Sequence, residues 1–284
     1  MLRKFDDFWI AEDEKGFGNA LCLMESWSPR YLDVVRRYKI RIIRLNDRLG
    51  WDESDISFVL QIPGLHGIDL VSDRVRDVSP VFEIPDLKTL SLFCGKAKVG
   101  GDFSKLQHLE SVGLQWRPIY ESVLAHKSLR RVIVLGFPYT DLTGWAPNKR
   151  LASLKLSSNR LQSLAGIERF PNLKQLHLYR CRNLRSLKAL TKSPKIEFLR
   201  LDQCAGVKDL SPIAELRKLK TLEIETCHTI RSISPLTKCK RLQRLQIAGN
   251  TTIADRDVSP LQKLPKLKEL LLSRRKRYSG IVES

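Results

Sequence analysis

The sequence predicts an α/β solenoid. It would be a right-handed stack of short repeated units, with a concave parallel β-sheet on one side, short helical or 3-10 segments on the convex side, and a hairpin–helix cap at the start. Three observations predict it. The chain aligns with itself at a nearly constant step. Each copy alternates apolar and polar residues, the period of a strand with one buried face. The composition, 42% apolar and 29% charged over 284 residues, is that of a chain with a core rather than a disordered one.

The repeat is sharpest from Leu151 onward. LASLKLSSNRLQSLAGIERFPN (151–172) is followed by LKQLHLYRCRNLRSLKALTKSPK (173–195), then by units starting at Ile196, Leu219, Leu242 and a truncated one at Leu267. Looser copies start at Ile40, Leu65, Leu87, Leu109 and Leu129, so successive starts lie 20 to 25 residues apart. Each unit reads L-x-x-L-x-L-x-x-[NC], then a second apolar cluster such as Leu161, Leu164 and Ile167, then a polar stretch. One short strand cannot bury its apolar side alone, so the copies stack side by side at about 4.8 Å per step, roughly 50 Å in all. Pairs such as Ser211-Pro212, Ser234-Pro235 and Ser259-Pro260 suit a Ser cap with Pro at the first helical position, opening the convex segments.

These units resemble the leucine-rich repeat, specifically the short bacterial, internalin-like type with 22-residue units. The resemblance covers residues 40 to about 273 and is degenerate before 151, where the unit from Leu129 reads LRRVIVLGF with Phe137 at the Asn/Cys position. Outside it, residues 1–39 are expected to form an N-terminal cap. FWIAEDEKGFGNALCLM reads as a β-hairpin about Glu14 to Asn19, and Ser28-Pro29 opens a helix with Tyr31, Leu32, Val34, Val35 and Tyr38 on one side. The repeats are expected over 40–273, and residues 274–284 form a basic tail carrying Arg274, Arg275, Lys276 and Arg277.

The ninth position holds Asn159, Cys181, Cys204, Cys227 and Asn250. A buried turn needs partners for its backbone amides and carbonyls, and Asn or a small thiol can sit there. These five are expected to form a structural ladder rather than a metal or redox site. Six cysteines are too sparse for a disulfide framework.

Positions 3, 5 and 7 point outward from the sheet. On three neighbouring strands they bring together His177, Tyr179, Phe198, Arg200, Asp202, Glu223 and Glu225. Aromatic residues with Arg are what interface hot spots use, and mixed charge suits a protein partner better than a polyanion. The chain carries 50 Lys and Arg against 31 Asp and Glu, with the excess confined to residues 85–284. Lys192, Lys195, Arg217, Lys218, Lys220, Lys238, Lys240, Arg241, Lys263, Lys266 and Lys268 recur where each strand begins, predicting a basic ridge along one edge.

Catalysis has little support, because no nucleotide-loop, nucleophile-elbow or zinc-protease motif occurs. Glu223 and Glu225, about 7 Å apart on one strand face, could suit an inverting glycosidase only beside a pocket, which an open sheet does not imply. The expectation is a cytoplasmic bacterial protein without enzymatic activity, cofactor or metal, having neither an apolar signal core nor a membrane span. It would recognise a protein partner, acidic in character, through the concave face and basic edge. A polyanion- or nucleic-acid-binding scaffold, or an effector or immunity-type protein, is the alternative.

Overall fold

The computed structural model describes residues 3–12, 16–273 and 278–279. The basic run Arg274 to Arg277 lies outside the described residues. The chain divides into two compact units, Met1–Ile133 and Val134–Ser284, and each winds as a solenoid of parallel strands joined by turns and short 3-10 segments. Among the described residues no helix is long and apolar enough to cross a membrane.

The first unit opens with β1 (Arg3–Lys4), β2 (Phe8–Glu12) and β3 (Asn19–Leu23), each antiparallel to the one before. β1 has no counterpart in the sequence reading, because two charged residues carry no apolar alternation. Helix α1 (Tyr31–Arg37) follows and buries Tyr31 and Val35. The Tyr31 hydroxyl lies 2.8 Å from both Asp7 Oδ2 and Glu25 Oε1, so the helix is fastened to the turns flanking the hairpin. Asn19 Nδ2 donates to the Tyr38 carbonyl at 2.8 Å, closing the helix end against β3. From β3 onward the pairing is parallel. β4 (Ile40–Asn46), β5 (Gly67–Val71), β6 (Thr89–Phe93) and β7 (Ser111–Gln115) follow in chain order. The division between the units falls within β8 (Arg131–Leu135).

The second unit is the more regular. β9 (Ser153–Ser157), β10 (Gln175–Tyr179), β11 (Phe198–Asp202) and β12 (Thr221–Glu225) pair in parallel without a shift of register. β13 (Thr229–Ile230) pairs outside this sheet with β15 (Thr252–Ile253), while β14 (Arg244–Ala248) and β16 (Glu269–Leu272) continue the main series. Leu154, Leu176, Leu199 and Leu222 therefore stand directly opposite one another, all at 1% exposure or less, in one shared interior. The second apolar cluster closes that interior, with Leu161, Leu164 and Ile167 fully buried. Each strand is locked to the last at its entry. The Lys174 carbonyl accepts from the Glu197 and Phe198 amides at 2.8 and 3.0 Å, and the Glu197 and Lys220 carbonyls do the same for the next two units.

Two expectations about the turns need correction. Ser211, Ser234 and Ser259 are the first residues of the 3-10 segments, not their caps, and Pro occupies the second position. The acceptor lies two residues earlier: Asp209, Ser232 and Asp257 accept from the amides of Ser211, Ser234 and Ser259 at 2.9, 3.0 and 2.9 Å. A side chain reaching its own backbone two residues on is the Asx- and ST-turn geometry.

The ladder runs Ser158, Cys181, Cys204, Cys227, Thr251, all buried, whereas Asn159 and Asn250 are exposed. The reason is backbone geometry. In the three middle units the eighth residue (Arg180, Gln203, Thr226) takes a left-handed φ of 54 to 55°, which brings the ninth residue inward. The unit from Leu151 has no left-handed residue at this turn, so its eighth residue, Ser158, fills the place. Its hydroxyl donates to the Phe137 carbonyl at 2.7 Å and accepts from the Arg160 and Leu161 amides at 3.0 and 2.9 Å. The unit from Leu242 is 25 residues long and departs from this rule: its eighth residue, Gly249, is also left-handed (φ 67°), yet Asn250 stays outside and Thr251, one residue further on, is turned inward, accepting from the Cys227 amide at 3.0 Å. The first unit repeats the device at buried Ser72, which accepts from the Arg74 and Val75 amides at 3.0 and 3.3 Å.

Candidate functional site: the charged open face of the second unit

The parallel register places the outward residues of the second unit in rows across the strands. One row reads Lys155, His177, Arg200, Glu223, Gln246, and the next reads Ser157, Tyr179, Asp202, Glu225, Ala248. Phe198 stands in the row before, between Gln175 and Thr221. The seven residues expected to share this face are on it. Glu223 is the most buried, at 8% exposure, and the other six are half-buried.

Arg200 is the hub. Its Nη2 lies 3.3 Å from Asp202 Oδ2 and 2.9 Å from Glu225 Oε2, and its Nη1 lies 3.3 Å from Glu223 Oε2. Glu223 is shared, since its other oxygen lies 3.4 Å from Arg244 Nε, and Arg244 reaches on to Glu269 at 2.8 Å. Five charged side chains on three successive repeats are thus joined, with Glu269 on a fourth strand. Arg244 and Glu269 were absent from the sequence-derived patch. The repeat does place Arg244 at an outward position of the next strand, but only the fold shows that it shares Glu223.

His177 lies beside this network without joining it. Its Nε2 is buried and has no hydrogen-bond partner among the described residues. Burial, with Lys155 and Arg200 nearby, pushes its pKa down to about 4, so the ring is neutral at pH 7. Tyr179 is covered on one side by the Arg180 guanidinium, 5.0 Å from the ring centroid.

The ladder cysteines lie on the other side of the sheet. Cys204 Sγ donates to the Leu178 carbonyl at 3.5 Å, and Cys227 Sγ to the Leu201 carbonyl at 3.4 Å. The hydrogen bond to Cys181, with burial, pushes the Cys204 thiol up to about 12, and Cys227 is raised by its contact with Cys204 and by burial. Cys204 and Cys227, protonated and buried, are poor nucleophiles and poor metal ligands, whereas the hydrogen bond with Cys204 draws the Cys181 thiol downward. Among the described residues no three His, Cys, Asp or Glu side chains come together as a group that could hold a metal.

The eleven basic residues expected to form a ridge are all exposed. Several are tethered: Lys220 Nζ to Glu197 at 2.6 Å, Lys195 Nζ to Asn172 Oδ1 at 2.6 Å, and Lys240 Nζ to the Lys263 carbonyl at 2.9 Å. Lys192 and Arg217 stand 3.8 Å from Glu168 and Glu215. Lys218, Lys238, Arg241, Lys263, Lys266 and Lys268 make no ion pair among the described residues. The second unit's sequence holds 30 Lys and Arg against 12 Asp and Glu, nearly all of the chain's excess of positive charge.

No family model and no curated protein matches the sequence. Solved structures do. An internalin (InlF) from Listeria monocytogenes superposes with a TM-score of 0.56 at 18% identity, over 83% of this chain and 74% of that one. The leucine-rich repeat domain of the type III effector XCV3220 (XopL) gives 0.52 at 19% identity, over 68% and 71%. A Toll-like receptor, TLR13, in complex with single-stranded RNA gives 0.56 at 18% identity, over 84% of this chain and 37% of the receptor. The chain has the leucine-rich-repeat fold, of the internalin-like type.

Proposed function

We propose that the protein is a non-catalytic recognition module that binds a protein partner through the open face of its second unit, with the exposed basic side chains steering an acidic surface toward it. The observation that carries this reading is the charge network about Arg200. It fixes five charged side chains in one arrangement before any partner arrives, which lowers the ordering cost of binding. Half-exposed Tyr179 and Phe198 beside it supply the large apolar contacts that hot spots use. Carboxylates and guanidinia are both present, so a partner would need matching charges of both signs, which suits a protein surface better than a polyanion. The solved structures of similar fold include a bacterial effector's repeat domain and a receptor bound to RNA, so both classes of macromolecule are compatible with the fold.

Charge reversal at Arg200 would dismantle the network itself, so the face is better probed at its aromatics. After affinity capture and mass spectrometry identify the partner, Phe198→Ala and Tyr179→Ala should each raise Kd at least about tenfold with an unchanged fold. Lys218→Glu with Lys240→Glu should mainly slow association and flatten its dependence on salt. Wild-type affinity in both aromatic variants would refute the face. A protein that retains only nucleic acid, with log Kd varying steeply with log salt, would favour the polyanion alternative, to which TLR13 offers a precedent of fold alone.

A further inference from the structure

The first unit carries a second site, separate in position and chemistry from the face above. A cavity of about 370 Å³ opens on the outward side of its sheet, and its lining includes Trp9, Arg44, Leu49, Asp69, Ser91 and Phe93. Its floor follows the strand register. Trp9, Cys22, Arg44, Asp69 and Ser91 are consecutive partners across β2, β3, β4, β5 and β6, with Val71 and Phe93 in the adjoining row. The row on the other side (Ala11, Ala20, Ile42, Gly67, Thr89, Ser111) is small or apolar and entirely buried, so the floor has a closed margin there.

The walls are set in advance. Trp9 and Arg44 flank the buried Cys22 as its direct cross-strand partners, which fixes where both are mounted on the floor. The Phe93 ring lies over Gly113, where an added Cβ would meet it at 3.2 Å and Ser91 Oγ at 3.4 Å. Glycine at that place lets the aromatic ring lie down toward Ser91. Between the walls, Arg44 Nε lies 3.1 Å from Asp69 Oδ2, with the two side chains 31% and 24% exposed.

The charges decide the ligand class. One guanidinium and one carboxylate stand on neighbouring strands, about 4.8 Å apart along the sheet, and their sum is zero. A simple anion would meet Asp69 and a simple cation would meet Arg44. A wholly apolar ligand would strip water from both charges and return nothing. We propose that this cavity binds a small zwitterion, an α-amino acid with a large apolar side chain, its carboxylate toward Arg44, its ammonium toward Asp69, and its side chain against Trp9, Leu49, Val71 and Phe93. The volume lies near the low end of the roughly 300–1,000 Å³ typical of small-molecule sites, which suits a ligand of amino-acid size.

Calorimetric titration of the full chain tests this with L-tryptophan, L-phenylalanine and L-leucine as probes. The expected result is a Kd on the order of 0.1–1 mM for at least one of them. The matching N-acetyl acid and amino amide should bind at least tenfold more weakly, because each lacks one of the two charges. Arg44→Gln and Asp69→Asn should each weaken binding by tenfold or more. Ser91→Leu, which fills the cavity and leaves the ion pair intact, should abolish it; this variant decides the matter if either charge substitution unfolds the unit. The proposal is overturned if no zwitterion binds below 10 mM, if the blocked derivatives bind as well as the free amino acids, if adenine or indole binds more tightly than any of them, or if Ser91→Leu binds as the wild type does.

Discussion

Arg200→Gln is the substitution whose outcome the structure specifies most fully. Arg200 contacts three carboxylates at 2.9 to 3.3 Å, and its own side chain is 32% exposed, against 14%, 11% and 34% for Asp202, Glu223 and Glu225. Exposed ion pairs contribute about 0.2–1 kcal/mol each, while removing one partner of a fully buried pair costs about 3–5 kcal/mol. This site lies between those limits. Two things limit the loss: Glu223 keeps Arg244 at 3.4 Å, and Glu225 is one-third open to water. Two things enlarge it: Asp202 and Glu225 are direct cross-strand neighbours, left as like charges facing each other, and Glu223 is nearly buried. The expected loss is about 2 kcal/mol, read as a shift of the urea midpoint for the second unit by circular dichroism at fixed slope. A double-mutant cycle with Glu223→Gln should return a coupling of about 1 kcal/mol, and high salt should remove only part of it, because half-buried pairs are screened weakly. A loss below about 0.5 kcal/mol, or a coupling of zero, would refute the claim that the network is rigid enough to organise the face.

Three further outcomes follow from the same structure. His177 has its folded pKa depressed to about 4 from 6.5, so the unfolded chain binds more protons between these values and stability falls as pH drops through that window. The slope should be up to about 1 kcal/mol per pH unit, less than the full 1.36 because the ring is only half-buried, and His177→Phe should remove it; identical pH profiles for the two proteins would disprove the assignment. Thr226→Asn should raise the urea midpoint, stabilising by about 0.5–1 kcal/mol, since a β-branched residue at φ 54° is strained and Asn tolerates that conformation. Gly206→Ala should cost at least about 2 kcal/mol in the same assay, because the new methyl would stand 2.4 Å from the Leu184 carbonyl oxygen and 2.9 Å from that of Arg182, both backbone atoms with little room to move.

The leucine spacing by itself determined that the chain stacks, which residues face the interior, and which reach the open face. Those conclusions need only the two-residue period of a strand and the step between copies, and Leu154, Leu176, Leu199 and Leu222 show both at once. The sequence went wrong where one residue more or less changes the answer. Asn159 and Asn250 occupy the expected ladder position in the text of the repeat, yet Ser158 and Thr251 are turned inward, because the backbone of the turn decides which residue points in: no left-handed residue precedes Asn159, and the turn at Gly249 carries the inward place one residue further along. The Ser-Pro pairs signalled the right segments but misplaced the capping side chain by two residues, because Asp209, Ser232 and Asp257 reach forward to the serine amides in Asx- and ST-turns. What the tertiary structure alone decided is which charges meet. Arg200, Glu223 and Arg244 are 21 to 44 residues apart in the chain, and only parallel register brings three repeats into contact within about 10 Å. The cavity over Arg44 and Asp69 was invisible for that reason too. Its floor takes one residue from each of five strands, and its shape depends on what the neighbouring strands leave unfilled, as at Gly113.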